Sequence, residues 1–166
     1  KRQELMSIID DIKNIFTKED KIFYAPIKGQ ISDIKNCNDL IFSEQIVGPG
    51  ALIIAAEGKV YAPCDGKVTM VAHGNHAVGI VTNRGIQVLV HIGIGTVELE
   101  GKFFNSLVKT GQEVKKGDLL INFDLDGIKE AGYSLESPVV ITNPTIKKVK
   151  LSETENVEVG DELFSL

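Results

Sequence analysis

The sequence predicts an all-β fold, an antiparallel barrel or sandwich, and three observations carry that expectation. From Ile22 onward the apolar residues fall into short segments punctuated by glycine and proline, the pattern of many short strands joined by tight turns. Turn chemistry repeats: Ala25-Pro26-Ile27-Lys28-Gly29-Gln30-Ile31 is echoed by Ala62-Pro63-Cys64-Asp65-Gly66-Lys67-Val68, and Val114-Lys115-Lys116-Gly117-Asp118-Leu119 by Val157-Glu158-Val159-Gly160-Asp161-Glu162-Leu163. Proline presets φ before each turn and glycine admits positive φ within it. Repeated turns imply duplicated strand–turn–strand units. Finally, Val78 and Ile80, then Ile86, Val88 and Val90, alternate with period 2 around Asn83-Arg84-Gly85, the signature of a β-hairpin.

In chain order, residues 4–16 differ from everything after them. Leu5, Ile8, Ile9, Ile12, Ile15 and Phe16 recur at helical spacing with Asp10, Asp11, Lys13 and Asn14 between them, which predicts an amphipathic helix. Thr17-Lys18-Glu19-Asp20 reads as a polar linker, so residues 1–20 form an appendage and 21–166 the domain. The helix would pack on its own domain, lie on a membrane surface or link to another domain; its polar face is not strongly basic, which weakens the membrane reading. Strands are expected at 22–25, 30–34, 44–47, 51–55, 59–62, 67–72, 77–82, 86–90, 112–114, 118–124, 137–142, 146–151 and 157–164. Brief helical segments are expected at 102–108 and 127–131. Neither is long enough to serve as a repeated parallel crossover.

The hairpin organises the chain. His76 and His91 sit at its two open ends, so the fold brings two imidazoles together beside apolar strands. Such a pair could share a metal, could carry and steady a phosphoryl group, or could be structural. His73 reads as a loop residue.

Composition narrows the classes. One domain of 166 residues can bury a proper core. A net charge of −5 argues against nucleic acid. No apolar run approaches the roughly 20 residues of a membrane-spanning helix, and the charged first segment does not read as a signal peptide. Cys37 and Cys64 form no CxxC and no framework spacing, so reduced thiols are expected. Cys64, beside Pro63 at a strand–turn junction, reads as a small buried filler.

The repeated APxxG and VxxGDxL grammar resembles that of barrel-sandwich hybrid folds, which serve several functions. A lipoyl or biotinyl carrier needs a lysine at a hairpin tip, and here Met70 is followed by Val71. LytM-like zinc peptidases use an H-x-H pair, which this chain lacks. Residues 22–166 instead resemble the glucose-type enzyme IIA domain of the bacterial phosphotransferase system. The matching motifs are Ala25-Pro26…Gly29, Val47-Gly48-Pro49-Gly50, Ala62-Pro63…Gly66 and Asn75-His76-Ala77, followed by Val90-His91-Ile92-Gly93-Ile94…Thr96-Val97-Glu98-Leu99…Gly101 and Ser137-Pro138-Val139-Val140-Ile141-Thr142-Asn143. The histidines keep the family's spacing of fifteen residues.

The resemblance implies a phosphotransferase that carries a phosphohistidine during sugar transport. His91 would be the carrier and His76 would donate a hydrogen bond to the phosphoryl oxygens. It implies two partners in turn, the phosphocarrier protein HPr as donor and a cysteine of a sugar-specific enzyme IIB as acceptor. An apolar collar of Leu40, Ile41, Phe42, Ile46, Val47 and Val97, with Asp39 and Glu98 as acids, would receive them; pattern alone would place those apolar residues in the core. No cofactor is required, although His76 and His91 could hold an interfacial zinc once a partner supplies a carboxylate. The expected location is the cytoplasm, free or tethered to the membrane within a larger transporter chain. The alternative is a IIA-like regulatory domain, attached to a transporter or binding target proteins according to its phosphorylation state. Four departures bear on this choice. Gly95 replaces the family's aspartate, Gly74 its threonine, and Ala72 and Leu89 stand where aromatics are common.

Overall fold

The computed structural model describes residues 19–166, so the helix expected over 4–16 lies outside the described residues. Fourteen strands are described there, all paired antiparallel and mostly three to six residues long. The main sheet has eight strands in the order β13-β2-β3-β11-β7-β6-β5-β9. They span Gly29–Asp33 (β2), Gly50–Ala55 (β3), Gly66–Val71 (β5), Ala77–Val81 (β6), Gln87–His91 (β7), Glu113–Val114 (β9), Glu136–Ile141 (β11) and Asn156–Val157 (β13). A first three-stranded sheet joins Ile22–Tyr24 (β1), Glu162–Ser165 (β14) and Lys150–Leu151 (β12). A second joins Lys59–Tyr61 (β4), Leu119–Phe123 (β10) and Phe104–Ser106 (β8). This is the all-β architecture expected from the sequence.

The duplicated turns become duplicated hydrogen bonds. Ala25 N–H donates to Asp161 O and Gly160 N–H to Ala25 O; in the other copy Ala62 N–H donates to Asp118 O and Gly117 N–H to Ala62 O. The copies interlock, since Tyr24 N–H reaches Pro63 O and Tyr61 N–H reaches Pro26 O. Asp161 Oδ2 accepts from Glu158 N–H and Asp118 Oδ2 from Lys115 N–H, each at 2.8 Å. The two halves are therefore related by a pseudo-two-fold arrangement that the APxxG and GDxL repeats encode.

Most of the interior is one apolar cluster, including Ile53, Val78, Ile80, Val88, Val90, Ile121, Val139 and Phe164. The inward residues of the 78–90 hairpin are those that alternate in sequence. Strands β3 and β11 are apolar on both faces because a second, smaller cluster covers their outer side: Ile34, Cys37 and Phe42 pack on Leu52 and Val140. A strand buried on both faces reads as a continuous apolar run, and Val139-Val140-Ile141 is one.

Four local expectations are corrected, the first being the strand over 146–151, of which only Lys150–Leu151 (β12) forms. Residues 44–47 are a turn, not a strand: Asp39 caps a short helix, Leu40–Ser43 (α1), by accepting from Ile41 N–H, and Gln45 at φ 56 closes it. Residues 102–108 do not form a helix. Gly101 and Phe103 take positive φ, at 90 and 81, which interrupts helical backbone, and Phe104–Ser106 pairs with β10 instead. The segment 157–164 splits into β13 and β14 because Gly160, at φ 90, turns the chain. The helix expected over 127–131 is present as Leu125–Glu130 (α2), capped by Asp124 through Gly127 N–H.

Candidate functional site

Strands β6 and β7 pair with Ala77 opposite His91, and Ile92 N–H donates to His76 O at 2.8 Å. A tight turn with Asn75 at φ 64 delivers His76 to the strand end; Asn75 N–H closes it on Ala72 O. The hairpin thus brings the imidazoles together. Their ring centroids are 5.3 Å apart and nearly perpendicular, at 78°.

Two elements enclose the pair. Phe42 of α1 stands 5.2 Å from the His91 ring. Phe104 of β8 stands 6.4 Å from His76, edge to face, and leans on Phe123. Phe104 falls within the 102–108 segment expected as a helix, and nothing in the sequence points to its place beside His76. The site sits where α1 and the second three-stranded sheet meet the end of the main hairpin.

The two rings are held differently. His91 Nδ1 lies 2.8 Å from Gly93 O, and a carbonyl accepts only, so Nδ1 carries the proton and Nε2 keeps its lone pair. Gly93 is fixed in turn: its N–H donates to Ser137 Oγ, and Thr96 Oγ1 donates to Ile92 O at 2.6 Å. Burial lowers the His91 pKa to about 4, with His76 adding to the shift; the Gly93 carbonyl and Asp39 partly oppose it. His76 is 7% exposed, and burial lowers its pKa too. Its Nδ1 is buried with no hydrogen-bond partner. A proton there would be an unsatisfied buried N–H, costlier than an unsatisfied acceptor, so the neutral ring carries its proton on Nε2. Both imidazoles are neutral near pH 7, one with a free lone pair and the other with a free donor at Nε2.

The unpartnered nitrogen has a visible cause. A Cβ at Gly74 would lie 3.6 Å from His76 Nδ1, so a hydroxyl side chain there could reach it, and glycine has none. Gly74 takes φ +94, and its Cβ would come within 3.1 Å of Gly101 N. A β-branched residue does not fit that backbone. At Gly95, φ +74, a Cβ would meet only the Tyr133 ring at 3.7 Å. Tyr133 donates to Glu98 Oε2 at 3.2 Å.

Of the residues expected in a partner collar, Leu40, Ile41, Ile46 and Val97 are exposed, at 70, 51, 71 and 59%. Glu98 is exposed beside Val97, and Asp39 is half-buried at the cap of α1. Val47 is half-buried. Phe42 is buried against His91 and faces the site from beneath. His73 is an exposed turn residue. Cys64 is buried, its thiol pushed up to about 12 chiefly by burial. Cavities of about 330 and 460 Å³ lie elsewhere, and neither is lined by His76 or His91.

For zinc the fit is partial. His91 has the outer hydrogen bond typical of a metal-ligating histidine and His76 does not. Among the described residues, no three His, Cys, Asp or Glu side chains form a metal-binding group.

Comparison with known proteins finds the same fold. Glucose permease IIA from Mycoplasma capricolum superimposes with a TM-score of 0.81 at 34% identity, over 86% of this chain and 93% of that one. Weaker alignments reach Helicobacter pylori Csd3 (19% identity, 80% and 32% of the chains, TM-score 0.40) and a zinc-containing peptidase from Vibrio cholerae (22%, 74% and 38%, 0.42). Residues 21–146 match the family described as phosphoenolpyruvate-dependent sugar phosphotransferase system, EIIA 1, and the chain belongs to that family.

Proposed function

We propose that residues 21–166 form a phosphocarrier domain that accepts a phosphoryl group on His91 Nε2 from phospho-HPr and passes it to a cysteine of an enzyme IIB domain. The observation that carries this reading is the His91 Nδ1 contact with Gly93 O, which leaves the Nε2 lone pair free. In the accepting step that lone pair attacks phosphorus in line, the N–P bond forms, and the donor's bond to phosphorus breaks with its electron pair returning to the donor. No proton need leave His91, because the attacking nitrogen carries none. A depressed pKa keeps the ring in this form throughout the neutral range. His76 Nε2–H is then a donor for a phosphoryl oxygen, an electrostatic role that strengthens as charge gathers on the transferring group. In the passing step the acceptor thiolate attacks phosphorus, the N–P bond breaks, and the lone pair returns to His91.

Exposed Leu40, Ile41, Ile46 and Val97 near the histidines suit protein partners better than a small substrate. Asp39 and Glu98 suit a basic donor. With Gly95 in place of the family's aspartate, electrostatic attraction is weaker, and the effect falls mainly on association rate. The domain works in the cytoplasm.

The test is transfer from phosphoenolpyruvate through enzyme I and HPr, followed by mapping of acid-labile phosphate. Wild type takes label on His91; His91→Gln takes none; His76→Gln takes label but passes it to IIB at least tenfold more slowly. Label on the His91→Gln variant refutes the assignment. A folded wild type that takes no label from an active donor chain favours the regulatory module, for which Gly74 and Gly95 are the motivating features.

A further inference from the structure

Glu136 is 8% exposed on β11, and no lysine or arginine is paired with it among the described residues. Its partners are neutral donors. Asn38 Nδ2 lies 3.1 Å from both carboxylate oxygens, and Ser134 Oγ donates to Oε2 at 3.1 Å. Burying a carboxylate without a cation is costly unless its hydrogen bonds are kept, so Glu136 strongly favours the conformation that holds Asn38 over it. The bond spans 98 residues of sequence and ties the end of β11 to the segment just before α1.

That segment is the first lip of the site. Asn38 precedes Asp39, which caps α1 through Ile41 N–H at 2.9 Å. The exposed side chains of Leu40, Ile41 and Ile46 project from it, and its one buried aromatic, Phe42, stands against His91. Helix α1 has only four residues, far too short to hold itself. Two anchors hold it: the small cluster of Cys37 and Phe42 on Leu52 and Val140, and the Glu136–Asn38 bond.

We propose that Glu136 is a positioning residue, which acts through Asn38 to hold residues 38–46 in the conformation that receives the phosphoryl donor. The inference rests on the reading of that segment as a docking lip for HPr. The carboxylate does not touch the reacting atoms. Its effect falls first on recognition of the protein donor and reaches His91 only indirectly, through Phe42.

Asn38→Ala and Glu136→Gln test this with three readouts. Hydrogen exchange of the Phe42, Ser43, Glu44 and Ile46 amides, which are hydrogen-bonded in and around α1, needs no donor. It should accelerate at least fivefold in Asn38→Ala while the amides of β6 and β7 keep their protection. The phospho-HPr concentration for half-maximal transfer should rise at least threefold, with maximal rate changed less than twofold. Labelling of His91 by phosphoramidate, a donor too small to need the lip, should change less than twofold. Glu136→Gln keeps one acceptor for Asn38 and should fall between wild type and Asn38→Ala. Unchanged exchange in the 38–46 segment overturns the proposal, as does protection lost equally across the main sheet or a parallel fall in phosphoramidate labelling. If wild type takes phosphate from phosphoramidate but not from HPr, the donor assignment fails, and exchange alone then decides the role of Glu136.

Discussion

At the residue scale the site depends on what each imidazole is denied. His91 has its Nδ1 proton fixed by a carbonyl and its charged form disfavoured by burial. This makes a prediction about pH. The unfolded chain binds a proton at His91 near the ordinary value of 6.5, while the folded chain resists until about 4. Between those values the unfolded state holds more protons. Stability is therefore full above about pH 6.5, falls as pH drops through the window, and levels off below about 4. The full loss is on the order of 3 kcal/mol. His76, shifted in the same direction, adds to the slope. Urea denaturation at pH 7.5 and 4.5 should show a stability drop smaller by about 2 kcal/mol in His91→Gln than in wild type. A His91 ring titrating near 6.5 by NMR would contradict the buried, neutral nucleophile. The pair itself was legible in the sequence, because a period-2 hairpin forces its open ends together. Glu136 was not: a single acid before Ser137-Pro138 carries no mark of burial, and its partner Asn38 lies on another element. Gly74 was legible as a missing hydroxyl, but only the structure shows a nitrogen left unpartnered beside it.

At the element scale the turn after β7 controls the carrier. Gly93 presents its carbonyl to His91 from a φ of +72, where a Cβ would lie 2.6 Å from Thr96 Cγ2 and 2.8 Å from Ser134 O. Gly93→Ala must therefore move the turn and not merely strain it. The expected cost is about 2 kcal/mol or more, with loss of the fixed tautomer. Nitrogen-15 chemical shifts of the His91 ring should report a mixture of Nδ1–H and Nε2–H forms, and acceptance of phosphate should slow in proportion. Gly85→Ala is the control. It shares the positive φ, at +82, but its Cβ meets nothing within 4 Å, so about 1 kcal/mol and no change at His91 are expected. Elements whose chemistry is local were readable in advance: the Asn83–Gly85 turn, and α2 to within two residues at each end. The failures at 44–47 and 102–108 share a cause. Each is an apolar stretch whose backbone is decided by positive φ at a residue other than glycine, Gln45 in one and Phe103 in the other, and side-chain identity gives little warning of that.

At the scale of the whole molecule, duplication places the chemistry. The interlocked APxxG turns join the two halves, and the main sheet and the two small sheets close around one core whose rim is where the histidine hairpin ends. The repeat was visible as echoed turn composition, since aspartate and glycine are needed at those positions whatever the surroundings. The second apolar cluster was not visible, because continuous runs such as Val139-Val140-Ile141 do not say what covers their outer face. If the halves are equivalent in energy as well as in hydrogen bonding, the two GD turns should contribute alike. Asp118 and Asp161 each accept a backbone N–H at 2.8 Å from three residues upstream, and both turns are exposed. Removing either acceptor loses one local bond without opening a cavity, so Asp118→Ala and Asp161→Ala should each cost about 1 kcal/mol. The turns share no side-chain partner, so the double variant should cost the sum within about 0.5 kcal/mol and still unfold in one transition. Urea denaturation of the four proteins tests it. Costs that differ by more than about 1 kcal/mol, or a biphasic double variant, would mean that the two halves share a hydrogen-bond pattern without sharing the work of holding the barrel closed.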